Sequence, residues 1–367
     1  MKACFVLPRL LPLAGLEVLT IGLMEEFLEN NVDVDLVIVD EDGDFNGYLD
    51  ERITVFNLRA KRLLNSINPF RRYINTSKPD VIYVATWPLT SLTGVSHFFS
   101  SHQCKLIFSD HNPLSEQYNY FNFSKTILMR IFTNLTYRFC DHHISVSNDI
   151  REDLIRNFKL KSSKFIVINN MVKFPTNHST SFDDSEHLNR IKEFKGYKIL
   201  SVGRMKDQKN HKLLIDAFDL IQKKHDAILI IVGSGDKYED TKQYAMEKSL
   251  FEKIVMPGHS NQVAEYYKHS DIFALSSLYE GFGNVIIEAL HFGLPVVSTN
   301  CSGGPKEILK CKKYGILVPN HSPRLLANGM MKLLSDKQSF KKEVLMERAE
   351  DFTPQKIGKK YLNLICP

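Results

Sequence analysis

The 367-residue chain predicts two α/β domains in tandem, each built on a parallel sheet. Three observations carry that prediction. Short apolar runs recur at the spacing of strands separated by helices. The alternation fails once, between Lys173 and Gly196, and then resumes. The length also exceeds what one core usually organises, two domains of roughly 150 to 200 residues being the common solution. A hydrophobic content of 43% with 24% charge fits a soluble globular protein and excludes a disordered chain.

In chain order, Ala3–Leu7 is a first apolar run. A helical pattern follows from about Gly15 to Asn30, with Leu16, Leu19, Leu23 and Phe27 on one face. Strands are expected at Val34–Val39, Ile53–Asn57, Asp80–Val84, Lys105–Ser109, His142–Ser147 and Phe165–Asn169. Pro175, Asn177, His178, Ser179, Thr180 and Ser181 then read as a linker. The second series is Tyr197–Val202, Ile228–Val232, Lys253–Met256, Asp271–Leu275, Pro295–Ser298 and Gly315–Val318, with a charged helical tail from Pro323. Strands alternating with helices at this spacing argue for βαβ units. The architecture expected is two Rossmann-like domains facing each other across a cleft, residues 1–175 and 196–345.

The net charge of +5 is modest, and nothing suggests a nucleic-acid partner. Within residues 1–175, nineteen basic side chains balance nineteen acidic ones, but unevenly. Arg52–Lys78 carries Arg52, Arg59, Lys61, Arg62, Arg71, Arg72 and Lys78 with no acid. Gln117–Cys140 carries Lys125, Arg130 and Arg138 with no acid, among seven aromatic residues that include Tyr118, Phe132 and Phe139. Basic and aromatic residues together read either as an interfacial segment on an anionic membrane or as a partly buried helix with solvated cations.

Six scattered cysteines without a CxxC pair imply neither zinc nor a disulfide framework. The start, broken by Pro8, Arg9 and Pro12, reads as a strand and loop and not as a signal peptide. No apolar run approaches the ~18 residues of a membrane span. A cytoplasmic location is expected, with membrane association at the inner face an open option. Asn-x-Ser/Thr sequons such as those at Asn75, Asn122, Asn134 and Asn177 then carry little meaning.

Four motifs carry chemistry. After Tyr197–Val202 comes Gly203-Arg204-Met205-Lys206-Asp207-Gln208-Lys209, where Arg204 and Lys209 could converge on a diphosphate. A solvated basic loop is the plain alternative. After Asp271–Leu275 comes Glu280-Gly281-Phe282-Gly283-Asn284, which opens a helix bearing Glu288 about one turn in. Strand carboxyl ends are where open α/β sheets bind ligands, and a helix start suits an anion. A phosphate flanked by polyols fits this stretch better than two solvated carboxylates. Gly233-Ser234-Gly235 follows a strand, but the run continues to Tyr238, so the dinucleotide pattern GxGxxG fails and a nicotinamide or flavin enzyme has little support. Gly233 and Gly235 read as a turn near the ligand. Ser109-Asp110-His111-Asn112 follows another strand, where His111 could bond a sugar hydroxyl or simply be polar surface. His142-His143 has no partners at metal spacing.

GRMKDQKN, VGSGD, SSLYEGFGNVIIEALHFGLPVV, CSGGPKEIL and YGILVP, in that order, resemble the carboxyl-terminal half of the family-four retaining glycosyltransferases. The likeness is strong over about Tyr197–Asn320. In the first half only the strand rhythm, Gly15 and Ser-Asp-His match. The resemblance implies a GT-B fold, with a nucleotide-sugar donor held mainly by the second domain and an acceptor by the first. It also implies that a final helix, residues 352–367, packs back on the first domain.

By the same resemblance Arg204 and Lys209 bind the donor diphosphate, Glu280 the sugar hydroxyls and Glu288 the ribose. Gly281, Gly283 and Asn284 supply close backbone, His111 lies beside the sugar, and Gly15 approaches the diphosphate. Gly203, Gly233 and Phe282 complete the donor set, and Glu280, His111, Arg204 and Lys209 the catalytic one. The chain departs from the family pattern at Ala14-Gly15, where paired glycines are common, and at Asn169-Asn170-Met171, so no role is assigned to Asn170.

The function implied is transfer of a hexosyl or N-acetylhexosaminyl unit, with retention, from a nucleotide diphosphate sugar to a hydroxyl of a glycan or lipid-linked glycan. The expected donor is a UDP-sugar, and no cofactor or metal is expected. A nucleotide-sugar hydrolase or epimerase, or a non-catalytic binding subunit, are the alternatives. Intact Arg204, Lys209, Glu280 and Glu288 weigh against the last.

Overall fold

The computed structural model describes residues 1–10, 15–40, 49–118, 123–158, 160–175, 184–310, 313–336 and 339–365. The loop holding Ala14, the sequons at Asn122 and Asn177, residues 176–183 of the expected linker, Cys311 and Cys366 lie outside the described residues. The chain divides into two compact units, Met1–Lys173 with Thr353–Pro367, and Phe174–Phe352.

The first unit is built on a seven-stranded sheet of β1 (Lys2–Leu7), β2 (Asp33–Ile38), β3 (Thr54–Asn57), β4 (Val81–Ala85), β5 (Lys105–Asp110), β6 (His142–Ser145) and β7 (Phe165–Val167). Its order is β3-β2-β1-β4-β5-β6-β7, and every pairing is parallel. A parallel sheet is covered on both faces, so its central strands are apolar throughout instead of alternating. Val81–Ala85 is buried at all five positions for this reason. The helix Gly15–Glu29 lays Leu19, Leu23 and Phe27 on the sheet, the expected 3.6-residue stripe. β6 stops short of the expected Ser147 because that hydroxyl accepts the Ile150 N–H (3.3 Å) and opens the helix Asn148–Phe158.

The helix Pro354–Ile365 belongs to this unit. Ile357, Tyr361 and Ile365 enter its core, Tyr361 meets Tyr83 edge-on at 5.9 Å, and the Leu364 carbonyl accepts Lys105 Nζ at 2.7 Å.

The second unit has a six-stranded sheet of β8 (Tyr197–Val202), β9 (Ala227–Val232), β10 (Ile254–Gly258), β11 (Ile272–Leu275), β12 (Val296–Thr299) and β13 (Gly315–Val318). Its order is β10-β9-β8-β11-β12-β13, again all parallel. The strand order reverses between β1 and β4 in one sheet and between β8 and β11 in the other. Ligands of open α/β sheets bind at such reversals, outside the strand carboxyl ends.

Candidate active site

The loops that leave β8 and β11 flank the reversal of the second sheet and are tied to each other. The Leu278 N–H donates to the Gln208 carbonyl (2.8 Å), Gln208 Nε2 donates to the Tyr279 carbonyl (2.8 Å), and Ser276 Oγ donates to the Lys209 carbonyl (2.7 Å). A third loop, after β9, closes on the first from the other side. The Met205 N–H donates to the Ser234 carbonyl at 2.9 Å, and a Cβ at Gly233 (φ +142°) would lie 2.0 Å from the Gly203 carbonyl oxygen. The GxG of this loop therefore serves backbone-to-backbone packing.

This frame fixes the charged residues. Lys209, ending the short turn Asp207–Lys209, places Nζ 2.7 Å from Glu280 Oε1. Ser277 Oγ donates to the same oxygen at 2.5 Å. Glu280 is only 5% exposed, and its Oε2 has no hydrogen-bond partner among the described residues. A carboxylate this buried needs a neutralising partner, which Lys209 supplies. Arg204 is exposed, with no hydrogen bond or ion pair among the described residues. It stays available to an anion.

The Glu280 loop is braced from the far side by Ser302–Ile308. The Glu280 N–H donates to the Ser302 carbonyl (2.8 Å), and a Cβ at Gly303 (φ +116°) would sit 2.1 Å from the Glu280 carbonyl oxygen. Buried Arg348 completes the brace: Nε and Nη2 donate to the Ile308 and Glu307 carbonyls at 3.0 and 2.9 Å, and the guanidinium covers the Phe352 ring at 4.6 Å. Phe282 packs edge-on against that same ring at 5.5 Å. Its side chain is thereby committed to the core, leaving its backbone for any ligand.

Gly283 (φ +97°) caps the helix Asn284–His291, in the left-handed region where glycine is favoured. Glu288 lies on the second turn and accepts from the Tyr267 hydroxyl at 2.8 Å. Burial raises the Glu288 pKa, while the Tyr267 hydrogen bond and the Lys209 charge work the other way. The Lys209 contribution places one cation within electrostatic reach of both acids.

In the first unit the polar residues gather after β5. Asp110 is buried and accepts from the Tyr137 hydroxyl (3.2 Å), with His143 Nε2 of β6 also 3.2 Å away. His111 is nearly as buried, its Nε2 3.1 Å from Ser109 Oγ. Burial pushes the His111 pKa down to about 4, against the opposing pull of Asp110 and an Asn170 hydrogen bond, so the ring is neutral near pH 7.

Two family models match the chain, "Glycosyltransferase Family 4" over residues 13–174 and "Glycosyl transferases group 1" over residues 184–352. The chain thus carries a family 4 and a group 1 glycosyltransferase domain in tandem. An uncharacterised glycosyltransferase of Methanocaldococcus jannaschii is 27% identical, covering 86% of this chain and 88% of its own. A Campylobacter jejuni N-acetylgalactosaminyltransferase, named for a diphospho-undecaprenol acceptor, is 26% identical over 84% and 79%. Among solved structures, Anabaena HepE in complex with UDP and glucose superposes with a TM-score of 0.78 at 20% identity, covering 100% of this chain and 99% of that one. Its likeness, with that of other glycosyltransferases, gives the fold its name, GT-B.

In this glycosyltransferase Lys209, Glu280 and Glu288 stand around one end of the second sheet, with Arg204, Gly203, Gly281, Gly283 and Asn284 on the loops that frame them. Gly15 starts the first helix of the first unit and meets nothing within 4 Å where a Cβ would be. His111 belongs to that unit as well. Among the described residues no group of three or more His, Cys, Asp or Glu is placed to hold a metal. Four contributors escaped the sequence reading. Ser277 and Tyr267 are polar partners of the two acids, Gly303 shapes the brace, and Asn170 bonds His111. Gly303 lies in CSGGPKEIL, the one signal that could have pointed to it.

Proposed function

We propose that this glycosyltransferase moves a hexosyl or N-acetylhexosaminyl unit, with retention, from a UDP-sugar to a hydroxyl of a lipid-linked glycan at the inner face of a membrane. The observation that carries the reading is the ion pair of Lys209 with buried Glu280, with unpaired Arg204 on the same loop as Lys209. Such a site is neutralised when empty and has a further cation ready for the two negative charges of a diphosphate. The HepE complex with UDP and glucose and the undecaprenol-linked acceptor of the Campylobacter relative support the choice of donor and acceptor.

In this mechanism Arg204 and Lys209 hold the diphosphate, with backbone N–H groups at Gly281–Asn284. Glu280 Oε2 accepts from a hydroxyl of the transferred sugar, and Glu288 accepts from the ribose. His111, neutral, hydrogen-bonds a sugar hydroxyl. The bond from the anomeric carbon to the diphosphate oxygen breaks and its electron pair leaves with the nucleotide. The acceptor oxygen forms the new bond on the same face and gives its proton to the departing phosphate. Negative charge develops on the diphosphate in that step, so preorganised cations lower the barrier without a protein nucleophile or a metal.

The test is turnover of Arg204→Ala and Lys209→Ala against a panel of nucleotide sugars. Each should fall by roughly two to three powers of ten. Unchanged turnover in both would remove the diphosphate assignment. A melting temperature raised by UDP-sugars and not by other nucleotide sugars would identify the base, since a ligand of the folded state alone stabilises it.

A further inference from the structure

The helix Phe123–Thr136 of the first unit is inside out. Its inward residues are polar: Thr133 and Thr136 are buried, the first accepting from Trp87 Nε1 at 2.9 Å and the second donating to Ser91 Oγ at 2.8 Å. Its outward residues are apolar: Ile127, Leu128, Ile131 and Leu135 are 44%, 61%, 53% and 54% exposed. These four recur at one-, three- and four-residue steps, so they form one stripe along the helix. A helix on a water-soluble protein normally shows the reverse arrangement.

The stripe is not isolated. The neighbouring helix Leu89–Phe98 packs on this one, and at its end Phe98 and Phe99 are 56% and 61% exposed, with Phe98 stacked on Phe139 at 4.8 Å. Six of the fifteen exposed large apolar side chains among the described residues lie on these two packed helices and the residue that ends one of them. A patch of this kind marks an interaction site.

Charge decides what the site receives. The stretch 117–140 contains no acid, and Lys125 and Arg138 are exposed at either end of the stripe. A two-fold contact with a second copy would bring this face against itself, cations included. A bilayer with anionic headgroups instead offers acyl chains to the leucine and isoleucine stripe and counter-charge to both ends. We propose that this face is a membrane-docking surface that lies in the interface of an anionic bilayer. The inference goes beyond the transferase reading, because it needs neither donor nor acceptor.

Vesicle sedimentation of the full chain tests it. Wild type should pellet with phosphatidylglycerol-containing vesicles. Leu128→Glu with Ile131→Glu should lower the partition about a hundredfold, since each buried side chain of this size is worth roughly tenfold or more. Their melting temperature should not fall, as both point outward. Lys125→Glu with Arg138→Glu should cost about thirtyfold on anionic vesicles and little on phosphatidylcholine alone; this pair keeps the proposal testable should the first fail to fold. Wild type that stays in the supernatant, or variants that pellet like it, would overturn the proposal. So would a dimer in solution that Leu128→Glu with Ile131→Glu dissolves, which assigns the face to a second copy. Vesicle binding without transfer to a lipid-linked acceptor would sink the acceptor reading alone.

Discussion

The two sheets are wound alike, yet they put their polar chemistry in different places. In the second unit it sits on the loops after β8 and β11, directly at the reversal of strand order. In the first it lies one strand further out, after β5, with His143 of β6 behind it. The acids differ in the same way. Glu280 is paired with a cation that a ligand can share, whereas Asp110 is turned into the interior towards Tyr137 and His143. One unit is equipped for charge, and the other keeps its reactive edge neutral by burying His111. That division suits the charged donor and the uncharged acceptor hydroxyl of the proposed reaction.

Breaking the brace of the charged side should have the largest effect. Gly303→Ala places a Cβ 2.1 Å from the Glu280 carbonyl oxygen at a positive φ. The cost should be roughly 3 to 5 kcal/mol in urea unfolding, with loss of the melting shift given by UDP-sugars. A variant as stable as wild type that still binds donor would show that the brace is dispensable.

The neutrality of the other side can be sharpened by pH. An unfolded His111 takes up its proton near 6.5, but the folded one does so only near 4. Between these values the unfolded state binds more protons, so stability is complete above 6.5 and declines as pH falls towards 4, by up to about 3 kcal/mol. Buried His211, also lowered to about 4, contributes a similar loss. His111→Gln should therefore make the loss of stability between pH 7 and pH 4.5 shallower. A loss as steep as that of wild type would contradict a buried neutral His111.

The smallest change tests the residue that holds the imidazole. Asn170→Ala removes one hydrogen bond, worth about 1 kcal/mol. It should lower kcat several-fold with a much smaller change in the donor KM, since His111 is proposed to reach one sugar hydroxyl while the charged donor contacts lie in the second unit. A raised donor KM with unchanged kcat would place Asn170 elsewhere in the mechanism.

Much of this was legible in the chain, for a physical reason. Strands buried on both faces must be apolar at every position, so runs such as Val81–Ala85 and Ile228–Val232 announce themselves without neighbours. The helix Gly15–Glu29 showed its stripe because only one of its faces meets the sheet. Glu280 and Glu288 could be singled out because a strand, a loop and a helix start lie together in a dozen residues. What stayed hidden depends on contacts distant in sequence. Tyr267 stands 21 residues from Glu288, and Asn170 lies on a different strand's loop from His111. Gly303 matters only because another loop's carbonyl oxygen faces it. The helix Phe123–Thr136 was ambiguous because an apolar stripe says which residues cluster but not which way they face. Only the buried Thr133 and Thr136 settle that.

The helix Pro354–Ile365 has a consequence for the order in which the protein can be made. The core of the first unit requires Ile357, Tyr361 and Ile365, which the ribosome adds only after the whole of the second unit. The nascent first unit must therefore wait, with Tyr83 and the foot of helix Gly15–Glu29 uncovered, while some 180 intervening residues are synthesised and fold. A premature stop just after residue 352 would leave the second unit whole and strip the first of Ile357, Tyr361 and Ile365 from its core.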